Sequence, residues 1–213
     1  MRTLFATAGL TAALHIVGLV LALVCLRPGS PAVPLDDRLA YLAAHPAGWS
    51  VGWGVWMLCA LSLVAFLAAL RSRAPHANLA SLAVTLAAAG AAVDLTCDVG
   101  QIVVLPDVAA WQPAQPALFV IWERWLGATG AIAANGLYSL AALAASLALS
   151  SRVPTFVVAL GGLTCAAGFL MVVAGFTGDM RQLEVSVGAT IVSFLLWTAA
   201  VTWALSSRAA RRG

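Results

Sequence analysis

Six apolar runs, each long enough to cross a bilayer, follow one another along the chain at 3–26, 49–70, 78–105, 125–149, 153–176 and 185–205. About 20 such residues suffice to span a hydrocarbon core. Backbone amides inside lipid must be satisfied within their own segment, which selects helices over isolated strands. The expected fold is therefore all-α, an integral membrane bundle of six transmembrane helices forming one domain over 1–213. With 62% apolar residues, 9% charged residues and a mean hydropathy of +0.99, the chain has too little polar surface for a soluble protein of this size.

Connections are expected to be unequal. The turns at 71–77 and 150–152 are short, whereas 27–48 and 106–124 are long and carry prolines, tryptophans and charges. Leu39–Ala43 can form a short interfacial helix, and Leu118 to Trp125 can run directly into the fourth span. The basic residues are eleven arginines, with no lysine. With both termini placed in the cytoplasm, seven arginines fall on inner segments (Arg2, Arg71, Arg73, Arg152, Arg208, Arg211, Arg212) and four on outer ones (Arg27, Arg38, Arg124, Arg181). That asymmetry orients the bundle with both termini cytoplasmic, in a plasma membrane of the bacterial inner-membrane type. A lone Arg2 precedes the first run and no small-residue cleavage site follows it, so a retained first helix is expected. Arginines scattered at segment ends do not make a nucleic-acid surface.

Inside the third run lies Asp94-Leu95-Thr96-Cys97-Asp98-Val99-Gly100-Gln101. Asp94, Asp98 and Gln101 are spaced i, i+4, i+7, which puts them on one helical stripe. An acid in a spanning segment is expensive and marks a functional site by default. Counted from Asn78, Asp94 lies about 24 Å and Asp98 about 30 Å along the helix. Two settings follow: a wetted pair near the outer boundary, held by Arg124 or Arg27, or an enclosed pair whose two carboxyls share a proton.

Trp49, Trp53 and Trp56 repeat the same i, i+4, i+7 spacing at the outer end of the second run, near the level of Tyr41, Trp111, Trp122 and Trp125. This is either an interfacial aromatic belt or a wall of ring faces suited to a cation. Asn135, an amide at mid-membrane, needs a partner and can line the bottom of an outward cavity. Small residues in the fourth and fifth runs, Gly161 and Gly168 among them, permit close helix approach.

No metal and no cofactor is expected. Asp94 and Asp98 can be joined on paper by His45, Glu123 or Asp179, but no ligand spacing links them. Bis-histidine haem is excluded because only His15 lies within a span. His15 is expected to bond Asn135, Tyr138 or a neighbouring carbonyl. Cys25 and Cys97, both near outer helix ends, are the one pair able to bridge.

Catalytic or proton-handling candidates are thus Asp94 and Asp98; ligand-contact candidates are Trp49, Trp53, Trp56, Gln101, Asn135 and Glu123. The first reading is an outward pocket that binds or transports a small cationic or amphipathic ligand, with possible proton coupling. A second is an intramembrane enzyme of isomerase or cyclase type that uses the aspartates as acid and base. A third is an accessory subunit docked through outer loops and Trp111 or Trp122. The bilayer is the one partner the composition specifies; no protein partner is indicated.

Overall fold

The computed structural model describes residues 1–110 and 116–210, without the side chains of 209 and 210. Trp111, Arg211 and Arg212 lie outside the described residues. Regular structure among the described residues is entirely helical: α1 (Arg2–Gly29), α2 (Leu35–Ala44), α3 (Pro46–Arg71), α4 (Ala77–Ala110), α5 (Pro116–Ala148), α6 (Thr155–Thr177) and α7 (Met180–Ala210). Six of these, all except α2, are long and apolar enough to cross a membrane. Leu10, Ile16, Leu61, Leu163 and Leu196 point outward and are exposed. A bundle with such a surface suits a lipid solvent.

The spanning helices extend beyond the hydropathy runs, most consequentially at α4 and α5. α4 continues beyond 105 to Ala110, and α5 starts at Pro116 instead of near Trp125, so the stretch 106–124, expected as a long loop, is helical at both described ends. Asp107, Glu123 and Arg124 lower the local hydropathy without breaking the helix. Pro106, which has no N–H to donate, stands two residues after a π-turn at Gly100–Val104; Pro28 stands two residues after one at Ala22–Leu26. Widening the helix by one residue just before a proline absorbs the register fault that the ring creates. A third π-turn, Gly130–Ala134, has no proline; there the Asn135 side chain donates to the Gly130 carbonyl at 3.0 Å.

The spanning helices pack in chain order, α1 on α3, α3 on α4, and so on to α7, which returns to α1. The circle is hollow in part. Towards the termini it is closed by a dry core that includes Leu4, Leu63, Phe66, Leu70, Ala87, Ala141, Ala145, Leu149, Trp197 and Val201. At the other end Leu26, Leu42, Trp49, Leu105, Val108 and Phe119 form a second cluster, with Leu35 and Leu39 of α2 packed against it. The two long connections therefore build a roof. The α6–α7 turn is tight: Gly178 closes α6 at φ 72°, a left-handed position that favours glycine, and the Asp179 carboxylate caps α7 by accepting from the Gln182 N–H at 2.9 Å.

Small residues set the helix spacing in the dry half. A Cβ on Gly161 would strike the Ser146 side chain of α5 and stand 3.0 Å from Trp197 Nε1 of α7, whereas a Cβ on Gly162 would meet nothing within 4 Å. Gly161→Ala is therefore expected to destabilise the folded bundle by about 1–3 kcal/mol through overpacking, while Gly162→Ala leaves stability unchanged. Thermal unfolding of both variants in one detergent reads the difference, and equal melting temperatures would contradict this packing.

Candidate functional site

Between the two packed ends lies a cavity of about 1090 Å³, lined by residues from all six spanning helices. Every candidate residue from the sequence borders it: Asp94, Asp98, Trp49, Trp53, Trp56, Gln101, Asn135 and Glu123. Their roles in the wall differ.

The tryptophan stripe of α3 and the Asp94–Asp98–Gln101 stripe of α4 both border the cavity, on antiparallel neighbours joined by one hydrogen bond. Trp49 Nε1 donates to the Gln101 carbonyl at 2.7 Å, which fixes the register of α3 against α4. From that bond, Trp53 lies about 6 Å and Asp98 about 4.5 Å deeper; Trp56 and Asp94 both lie about 10 Å deeper. The Trp56 ring itself packs towards α1, on His15 and beside Gly18. Trp49 and Trp53 pack edge to face with centroids 5.8 Å apart. Gly29 gives Trp49 its space, since a Cβ there would sit 2.6 Å from the ring.

The two aspartates differ in burial: Asp94 is half-buried and Asp98 is buried. Asp98 is 2% exposed and its Oδ2 has no hydrogen-bond partner. Asp94 accepts from the Tyr138 hydroxyl at 3.2 Å. Gly90, one turn from Asp94, makes room for that tyrosine ring, because a Cβ would stand 2.8 Å from it. Among the described residues the only ion pairs are Arg27–Glu184 and Arg38–Glu123, so neither Asp94 nor Asp98 has a basic partner. Arg124 and Arg27, the partners considered for a wetted pair, do not reach them. Gln101 Oε1 and Trp53 Nε1 are likewise buried without partners. Nearly all buried polar atoms in folded proteins are hydrogen-bonded, so orphaned acceptors and a donor on one cavity wall form an unusual concentration.

Other side chains are already occupied. The Asn135 amide holds its own π-turn. Glu123 is buried against Arg38, whose Nη1 reaches both carboxylate oxygens while the guanidinium lies over the Phe119 ring at 5.9 Å. This pair ties α2 to α5 at the roof. His15 Nδ1 donates to the Thr11 carbonyl of its own helix at 2.8 Å, not to a neighbouring helix, and the ring packs on Phe194 and Trp56. All four cysteines are free, Cys25 and Cys97 included. No group of three or more metal-ligating side chains occurs among the described residues.

The structure adds two residues to the candidate site. Sequence pattern marks Tyr138 only as a partner for His15, whereas its hydroxyl reaches Asp94. Sequence pattern marks Arg38 only as an outer charge, although it stands three residues after Leu35 and four before Leu42, on the face that α2 buries.

Breaking the roof pair on one side is expected to be costly. Arg38→Leu or Glu123→Leu alone should destabilise the protein by about 3–5 kcal/mol, because a buried charge is left uncompensated, while the double substitution recovers most of that loss. A double-mutant cycle by thermal unfolding measures it, and additive losses would refute the coupling. No protein-family model, curated protein or solved structure matches this chain.

Proposed function

We propose that the protein binds a small cationic or amphipathic ligand in the cavity and exchanges it against a proton held by the Asp94–Asp98 pair. The observation that carries this reading is the set of buried, unpartnered atoms on one wall, Asp98 Oδ2, Gln101 Oε1 and Trp53 Nε1. An unpaired charge away from water is prohibitively unfavourable, so a carboxyl pair without a basic neighbour is neutralised by a proton or by a cation. A ligand cation that displaces the proton satisfies the same requirement. The indoles of Trp49, Trp53 and Trp56 on the same cavity lining add attraction to a positive charge. Volume agrees with this: small-molecule cavities run to roughly 1,000 Å³ and are mostly apolar with a few placed polar groups. The arginine asymmetry supports an orientation in which the termini are cytoplasmic and the roofed end faces outward.

Asp98→Asn is expected to weaken binding of hexylammonium to the protein in lipid nanodiscs by at least about 30-fold, as when one partner of a buried charge pair is removed. Titration calorimetry in two buffers of different ionisation enthalpy should also record proton release on binding to the unaltered protein. Equal affinities with no proton release would sink the proposal.

A further inference from the structure

The circle of helices is least complete between α1 and α7. The two backbones pack within the stretch that ends at Leu21 and separate beyond it. Two side-chain contacts mark the limits of the gap. At its lower edge the His15 ring meets Phe194, centroids 4.9 Å apart; at its upper edge Arg27 and Glu184 pair at 3.7 Å with both side chains substantially exposed. From His15 to Arg27 the helix rises about 18 Å.

Within this interval the cavity wall is also the outer surface. Leu23 is 59% and Val185 67% exposed, yet both border the cavity. Gly188 borders it too, and a Cβ there would meet nothing within 4 Å. The slot is apolar. No charged residue falls between Ile16 and Leu26 or between Val185 and Ser193. The hydroxyls of Ser186, Thr190 and Ser193 bond carbonyls of their own helix. A slot walled this way faces the acyl region of a bilayer.

We infer that the cavity admits single-chain ammonium amphiphiles from the bilayer through the α1–α7 slot, with the head on Asp98 and Gln101 and the hydrocarbon chain lying in the slot. The inference rests on the ligand reading above and names its ligand class. Asp98 Oδ2 and Gln101 Oε1, three residues apart on one helix, are both acceptors without a donor. They call for a head with more than one N–H, a primary ammonium, which a quaternary ammonium cannot supply. An exposed ion pair such as Arg27–Glu184 contributes little stability and yields readily to a passing chain.

The test is photolabelling of the full-length protein in phosphatidylcholine nanodiscs with dodecylamine that carries a diazirine on its terminal carbon. Saturable labelling should map to 19–26 and 185–191. Unlabelled dodecylamine should compete, with dodecanol and butylamine at least about tenfold weaker, and dodecyltrimethylammonium also weaker. Saturable, amine-specific labelling confined to the cavity floor at Leu63, Leu67 and Phe194 would overturn the slot and leave the ligand reading intact. Equal competition by dodecyltrimethylammonium would overturn the choice of head. Absence of saturable labelling, or equal competition by dodecanol, would overturn the ligand reading itself.

Discussion

The hydrogen bond from Trp49 Nε1 to the Gln101 carbonyl sets the arrangement on which the rest of the site depends. Its net worth is about 1 kcal/mol. Its geometric consequence is larger, because α3 and α4 carry i, i+4, i+7 stripes running in opposite directions, and one bond fixes their register. A slip of one residue would turn each stripe by about 100° around its helix. Its acceptor lies inside the π-turn at Gly100–Val104, so the local widening ahead of Pro106 also shapes the position of the Gln101 carbonyl.

A hollow bundle needs its ends held. Alanines and glycines close the terminal half by letting backbones approach, while the opposite half relies on a different device: an amphipathic α2 that folds Leu35, Leu39 and Leu42 onto Trp49, Leu105 and Phe119. Tyr41 adds a tie by donating to the Cys25 carbonyl at 2.7 Å, inside the first π-turn. The roof thus grips α1, α3, α4 and α5. Among the described residues, α1 and α7 are joined above Phe194 by the exposed Arg27–Glu184 pair, and that is where the circle is most open.

Much of the architecture was legible because transmembrane helices satisfy their own backbones, so run length and hydropathy locate them without tertiary information. The site was legible for a related reason: an acid or a regular tryptophan stripe stands out against a background of leucine and alanine. Legibility failed where long-range partners decide the outcome. Hydropathy begins the fourth run at Trp125, with Leu118 to Trp125 able to lead into it, because Glu123 and Arg124 look like loop residues, yet Glu123 is buried against Arg38, 85 positions away. Helix-rise counting from Asn78 puts Asp98 about 30 Å along its helix, and nothing in that count shows that the helix runs on to Ala110 or that Asp98 is buried, 2% exposed. His15 was expected to bond across to another helix, but the carbonyl of Thr11, one turn back, was available at lower conformational cost.

Native mass spectrometry of the protein extracted from membranes, alongside Asp98→Asn, addresses the central claim most directly. The account predicts a low-mass, amine-bearing species retained by the unaltered protein and absent from the variant, with both proteins otherwise intact. Identical spectra from the two, with no bound species in either, would contradict it.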